Sequence, residues 1–284
     1  MNKIEARIGQ ALSHIRERHP LIHHITNLVV MNDTANVTLH LGALPVMAYA
    51  TEEVAEMVSG ADALILNVGT LTPSLVESMI VAGRTANERG VPIILDPVGA
   101  GATTLRTESS LRLLEELEVA VLRGNGGEIA SLSEASGVSK AWGLRGGGAV
   151  RGVESVAGGD DPVALGRAMA REYDLTVAIT GKRDIVSDGQ RTLGVDNGHR
   201  WLTTITGSGC MATTAVAAFA AVEEDHLVAA VGGLACFGLA GELAAQKAEG
   251  PASFKVALLD QIYGLTADEL AEEARITAVE AGSS

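Results

Sequence analysis

The stretch Thr206-Gly207-Ser208-Gly209-Cys210 runs directly into Met211-Ala212-Thr213-Thr214-Ala215-Val216-Ala217-Ala218. Glycines followed by small apolar residues mark a turn that feeds a helix. Unpaired N–H groups at a helix start carry partial positive charge and attract anions. Glycine lets an anion approach the backbone closely. Cys210 closes the turn, where the positive helix end is expected to stabilise a thiolate. An anion cradle formed by Gly207, Ser208, Gly209 and Cys210, with a reactive side chain at its lip, points to phosphoryl transfer.

Outward from this turn, short apolar runs alternate with longer helical patterns. The spacing predicts strands over Leu21–Thr26, Leu44–Met47, Ala63–Val68, Pro92–Asp96, Val119–Arg123 and Thr176–Thr180. A hairpin follows, Asp184–Ser187 with Thr192–Asp196, turning through Asp188-Gly189. Helices are predicted over Ile4–Arg18, Ala35–Leu41, Pro73–Arg89, Thr104–Leu117, Pro162–Tyr173, Gly209–Val222, His226–Ala248 and Phe254–Leu265. The acidic tail from Ala267 to Ser284 reads as a final helix with a frayed end. The fold class is therefore α/β, with a mostly parallel central sheet covered by helices on both faces. The glycine-rich region Ser136 to Asp161, with Gly146-Gly147-Gly148 and Gly158-Gly159, reads as a long surface loop, so residues 1–284 are expected to form one domain.

In open α/β sheets, ligands bind at the carboxyl ends of the strands. Thr26-Asn27 ends the first strand and Asn67-Val68-Gly69-Thr70 the third. Asp96-Pro97-Val98-Gly99-Ala100-Gly101 ends the fourth, Arg123-Gly124-Asn125-Gly126-Gly127-Glu128 the fifth, and Thr180-Gly181 the sixth. Five such ends imply one shared small-molecule site facing the anion cradle.

Composition narrows the function. The net charge is −14, with five lysines against sixteen arginines and no basic run, which disfavours nucleic acid and anionic membrane. Two cysteines, Cys210 and Cys236, make no disulfide framework, and no Cys/His cluster marks a metal site. Met1-Asn2-Lys3-Ile4-Glu5 lacks the apolar core of a signal peptide, so a cytoplasmic location is expected. Trp201 to Val222 carries no charge, but a strand, a turn and a buried helix explain it better than a membrane span does.

Each candidate also has a structural reading. Asp96 and Glu128 suit the shielding of phosphate charge with Mg²⁺; Asp96 is equally a turn residue, and Glu128 a first-turn acid. Arg123 suits a phosphate or an ion pair. Cys210 alone is a small buried hydrophobe. Met47 belongs to the core or lines a flat heterocycle. His23 and His24 are neighbours on a strand, hence on opposite faces, and form a packed, hydrogen-bonded pair rather than a metal site. Gly207–Ala212 loosely fits a GxGxxA dinucleotide fingerprint, although Glu223 and Glu224 come too early for its ribose acid. No GxxxxGK[ST] is present.

Together the motifs resemble the hydroxyethylthiazole kinase family of ribokinase-like folds. The resemblance spans about Leu21 to Leu265. It is carried by Ile25-Thr26-Asn27 with Asn32-Asp33, Pro45-Val46-Met47-Ala48, Asp96-Pro97-Val98-Gly99-Ala100, Arg123-Gly124-Asn125 with Glu128, Thr180-Gly181 and the Thr206–Cys210 turn. The resemblance implies ATP-dependent phosphorylation of the alcohol of 4-methyl-5-(2-hydroxyethyl)thiazole. It implies Met47, Gly207 and Asn27 at the thiazole, Arg123 and Thr180 at ATP, Asp96 and Glu128 near Mg²⁺, and Cys210 beside the reacting hydroxyl. It also implies a homotrimer with sites between subunits. Ser208 stands where the family often has threonine, and Gly126-Gly127 where it usually has an alanine or serine. A related ribokinase-like kinase or nucleotide-hydrate dehydratase, a dinucleotide-dependent oxidoreductase and a non-catalytic nucleotide sensor are the competing readings.

Overall fold

The computed structural model describes residues 3–144, 149–151, 154–156 and 161–279. Helix α1 (Lys3–Arg18) leads into β1 (Leu21–Ile25), α2 (Met31–Leu41), β2 (Leu44–Val46) and the short α3 (Val54–Val58). Next come β3 (Ala63–Asn67), α4 (Pro73–Arg89), β4 (Ile93–Asp96), α5 (Thr104–Glu116), β5 (Val121–Asn125), α6 (Gly126–Ala135) and α7 (Val138–Ala141). A small hairpin, β6 (Ala149–Arg151) with β7 (Glu154–Val156), precedes α8 (Pro162–Tyr173) and β8 (Thr176–Thr180). Then follow β9 (Asp184–Ser187), β10 (Thr192–Val195), a 3₁₀ turn (Arg200–Thr204), α9 (Ser208–Ala220), α10 (His226–Ala245), α11 (Pro251–Gly264), α12 (Ala267–Glu273) and β11 (Ile276–Ala278).

The main sheet has the order β11-β10-β9-β8-β5-β4-β3-β1-β2. From β2 through β8 the pairings are parallel, and β9, β10 and β11 add antiparallel edge strands. The order reverses between β1 and β3, which is the switch point where such sheets open a crevice.

Strand side chains alternate between two apolar layers because the strand repeat is two residues. Ile22, Ile65, Ile94, Val121 and Ala178 pack with α1, α2 and α9 to α12. Leu64, Leu66, Leu95, Leu122 and Val177 pack with α3 to α8. Helix starts are capped locally: Thr72 and Thr103 accept from the backbone N–H of Leu75 and Arg106. Helix α10 is long and apolar enough to cross a membrane, yet 89% of that window is buried inside the fold. A helix apolar on every side belongs in a core.

Several expectations are corrected. A 3₁₀ turn, not a strand, precedes α9. The Ser136–Asp161 region holds α7 and the β6–β7 hairpin, while its glycines 146–148 and 158–159 lie outside the described residues. Helix α6 is absent from the predicted helices, although the reading of Glu128 as a first-turn acid agrees with its start. The final helix stops at Glu273, and Ile276–Ala278 joins the sheet edge beside β10.

Candidate active site

Parity along the strands builds the site. Asn67, Asp96, Arg123 and Thr180 share the parity of Ile65, Ile94, Val121 and Ala178, so they face the α9 side, Asn67, Asp96 and Thr180 at the carboxyl ends of β3, β4 and β8 and Arg123 in the middle of β5, which extends to Asn125. The β3–β4 register sets Asn67 directly opposite Asp96. Arg123 pairs with Ala178, so Thr180 is its diagonal neighbour. The start of α9 closes over these residues.

The resulting network is dense. Asn27 Nδ2 donates to Asn67 Oδ1 at 2.9 Å and to Cys210 Sγ at 3.6 Å. Asn67 Nδ2 donates to Asp96 Oδ2 at 3.0 Å and to Cys210 Sγ at 3.2 Å. Thr213, one turn beyond Cys210 on α9, donates to Asp96 Oδ2 at 2.8 Å. Asp96 Oδ1 makes no hydrogen bond among the described residues, and Arg123 Nη1 stands 3.9 Å from it. Arg123 Nη2 donates to Thr180 Oγ1 at 2.6 Å. All of these except Thr180 are buried. Arg123 lies against the cradle: a Cβ on Gly209 would meet its Nη1 at 2.8 Å.

Gly207 adopts a left-handed φ of +82° and is the N-cap of α9. A Cβ there would lie 2.5 Å from Val30 Cγ1, so the turn sits hard against the β1–α2 loop that carries Asn27. Ser208, Gly209 and Cys210 form the first turn of α9, with their amides at its positive end.

Glu128 lies behind Asp96. Its Oε1 accepts from Gly99 N and its Oε2 from Asn125 N, both at 2.8 Å. Asn125 Oδ1 accepts from Glu128 N in return, completing a capping box at the start of α6. Burial first, and the nearby Asp96 charge second, push the Glu128 carboxyl up to about 7. Burial likewise raises the Asp96 carboxyl, against the pull of Arg123, Thr213, Cys210 and Asn67.

The expected thiolate is corrected by the same environment. Burial, then the Asp96 charge, push the Cys210 thiol up to about 12. The amide contacts and Arg123 only partly oppose this. At neutral pH the group is a thiol, because removing it from water outweighs the helix end.

The structure thus gathers Asn27, Asp96, Arg123, Thr180 and the Gly207–Cys210 turn. It sets Met47, half-buried, just past the end of β2, the strand beside β1. The β1 histidines point to opposite faces, His23 to Ala48 O and His24 to Thr38 Oγ1, each at 3.0 Å, and burial pushes His24 down to about 3. Sequence reasoning named Asn67 only as a strand end and passed over Thr213. Register with Asp96 and the three-residue step from Cys210 are the signals that find them. A 3₁₀ turn ahead of the Gly207 turn removes the strand that a dinucleotide fingerprint requires.

Such a site on this sheet defines a ribokinase-like α/β protein. A ribokinase-like superfamily protein from Enterococcus faecalis V583 shares the fold at a TM-score of 0.63 and 12% identity, over 91% of this chain and 95% of that one. The hydroxyethylthiazole kinase structure from Pyrococcus horikoshii OT3 aligns at a TM-score of 0.86 and 44% identity, over 96% of this chain and 99% of that one. A curated hydroxyethylthiazole kinase of Roseiflexus sp. (strain RS-1) is 63% identical over 283 residues, covering 100% of both chains. One of Desulforudis audaxviator is 61% identical, covering 97% of each. The model of the hydroxyethylthiazole kinase family matches residues 12–268, and the chain belongs to that family.

Proposed function

We propose that this chain transfers the γ-phosphoryl group of ATP to the hydroxyl of 4-methyl-5-(2-hydroxyethyl)thiazole, a step of thiamin salvage. The observation that carries the reading is the convergence of Asn27, Asp96, Arg123 and Thr180 on the start of α9. The N–H groups of the Gly207–Cys210 turn receive the γ-phosphate oxygens. Arg123, steadied by Thr180, takes the remaining phosphate charge. Met47 and Gly207 flank the thiazole ring, and Asn27 lines the same pocket. The hydroxyl lies beside Cys210. Alignment and charge neutralisation then supply most of the acceleration.

Among the described residues, no group of three or more His, Cys, Asp or Glu side chains is arranged to hold a metal. Mg²⁺ needs no such cage, because it is bound through one or two carboxylates, waters and substrate phosphates. Asp96 Oδ1, which accepts no hydrogen bond among the described residues and faces Arg123 at 3.9 Å, fits that need, with Glu128 behind it. Bound there, the ion would shield the phosphate charge. A homotrimer is part of the proposal, supported by exposed Leu28, Val29, Leu39 and Leu44 on the β1–α2 loop, α2 and edge strand β2. So are a single domain over residues 1–284 and a cytoplasmic location.

The test is incubation with ATP, Mg²⁺ and the thiazole alcohol. ADP release that depends on the alcohol is the expected result. ATP binding without product, or NAD binding, would replace the reading by a sensor or an oxidoreductase.

Cys210→Asp is expected to retain turnover or raise it, by up to about tenfold, because phosphoryl transfer asks little of a base. The amide N–H groups of Asn27 and Asn67 that reach the sulfur would reach a carboxylate instead. Its closeness to Asp96 would lift the shared pKa toward neutrality, where a base works best. A folded but inactive Cys210→Asp protein would contradict this placing of Cys210.

A further inference from the structure

We propose that Asn67 is a positioning residue that holds the Cys210 thiol and the Asp96 carboxylate in register for the transfer. This rests on the kinase reading above. Asn67 ends β3 at the switch point and is fully buried. A primary amide has two N–H donors and one oxygen with two lone pairs. All four are spent: Nδ2 on Asp96 Oδ2 and Cys210 Sγ, Oδ1 on Asn27 Nδ2 and, at 3.1 Å, Gly69 N. A flipped amide would set its NH₂ against two donors and its oxygen against a carboxylate, so one orientation alone satisfies the site.

This fixed amide has two consequences. It joins Thr213 in occupying Asp96 Oδ2, so Oδ1, 3.9 Å from Arg123 Nη1, is the carboxylate oxygen left without a hydrogen bond among the described residues. It also makes the Cys210 sulfur an acceptor, which ties the start of α9 to β3 through a side chain. Asn67 is fully buried with its whole amide engaged, so it acts through the residues it holds. Thr213 reaches Asp96 Oδ2 and the Gly209 carbonyl but not the Cys210 sulfur, so the link to Cys210 is what distinguishes Asn67.

The experiment is steady-state ADP release, with ATP, Mg²⁺ and the thiazole alcohol, for the wild type, Asn67→Leu, Cys210→Ala and the double variant. Leucine keeps the approximate shape and removes every polar contact. Asn67→Leu is expected to lower kcat by about 30- to 100-fold, the scale of a misplacement near 1 Å. The KM for the alcohol should stay within about threefold, as for an interaction used only in the transition state. Cys210→Ala keeps the amide cradle and hence a measurable rate. In that background Asn67→Leu should cost at least about fivefold less, because coupled residues are not additive. Asn67→Ser, which keeps one short donor, should recover part of kcat, and it carries the same cycle if the leucine variant fails to fold. Equal fold-losses in both backgrounds would reduce Asn67 to structural support and overturn the proposal, as would a kcat within about threefold of wild type. A wild type without alcohol-dependent ADP release would overturn the kinase reading first, and this one with it.

Discussion

Gly207→Val is expected to lose about 10²- to 10³-fold in turnover while remaining folded, the scale of losing oxyanion-hole donors. Two effects meet at this position. The φ of +82° lies in the left-handed region, which costs an L-residue roughly 1–2 kcal/mol, and β-branched residues tolerate it least. The new Cβ would also fall 2.5 Å from Val30 Cγ1. Relief requires the turn to move, the Val30 loop to move, or both. Movement of the turn drags the amides of Ser208, Gly209 and Cys210 off the position of the phosphate oxygens. Movement of the loop displaces Asn27, three residues before Val30. The helix itself should survive, because Cys210 through Ala220 are buried between α10, α2 and the sheet. Circular dichroism with an ADP-release assay checks both halves. Gly90→Ala is the control: its φ is +69°, nothing lies within 4 Å of its Cβ, and it caps α4. That variant should lose a few degrees of Tm and keep its turnover. Normal turnover in a folded Gly207→Val protein would remove the anion cradle from the mechanism.

The sheet and the Gly207 turn that feeds α9 were legible in the sequence for a shared reason. Parallel strands buried on both faces read as continuous apolar runs, and β1, β3, β4, β5 and β8 here each run into glycine or a polar residue. The elements that escaped obey other rules. Helix α6 opens on Gly126-Gly127, poor helix formers, and is nucleated by the Asn125–Glu128 capping box, which composition hides. Strand β11 is three residues long and pairs only with β10, so periodicity has nothing to act on. Helix α2 starts at Met31 rather than at the expected Ala35, because Asn32-Asp33-Thr34 reads as a loop in sequence. Within the site, residue types were legible and their coupling was not. The helix end that would stabilise a Cys210 thiolate is visible in sequence. The burial that outweighs it, and the Asp96 charge beside it, are tertiary facts.

Asp96→Asn is expected to lower kcat by about 10³-fold, since a preorganised charge in a water-poor site is worth several kcal/mol in the transition state. Asparagine keeps the side-chain shape, and its oxygen can accept from Asn67 and Thr213 where Oδ2 does now. Its NH₂ then takes the place of Oδ1 and faces Arg123 Nη1, now 3.9 Å from that oxygen, so a donor meets a cation. The balance of charge near the phosphates changes by one full unit. Stability should move the other way. Burial holds the Asp96 carboxyl above its usual range, so the folded chain keeps this proton more tightly than the unfolded chain does. Stability of the wild type therefore falls as pH rises above the ordinary carboxylate pKa of about 4. The amide variant escapes that loss. It also lets Glu128 ionise more easily, because the Asp96 charge is the second cause of its elevation after burial. The difference in Tm, variant minus wild type, should consequently widen from about pH 5 to about pH 8. An Asp96→Asn protein that melts no lower than wild type at pH 8 and is nearly inactive would show a carboxylate kept for chemistry at a cost to the fold. A kcat within about tenfold of wild type would instead make Asp96 a structural acceptor for Asn67 and Thr213 and leave the phosphate charge to Arg123 and the cradle.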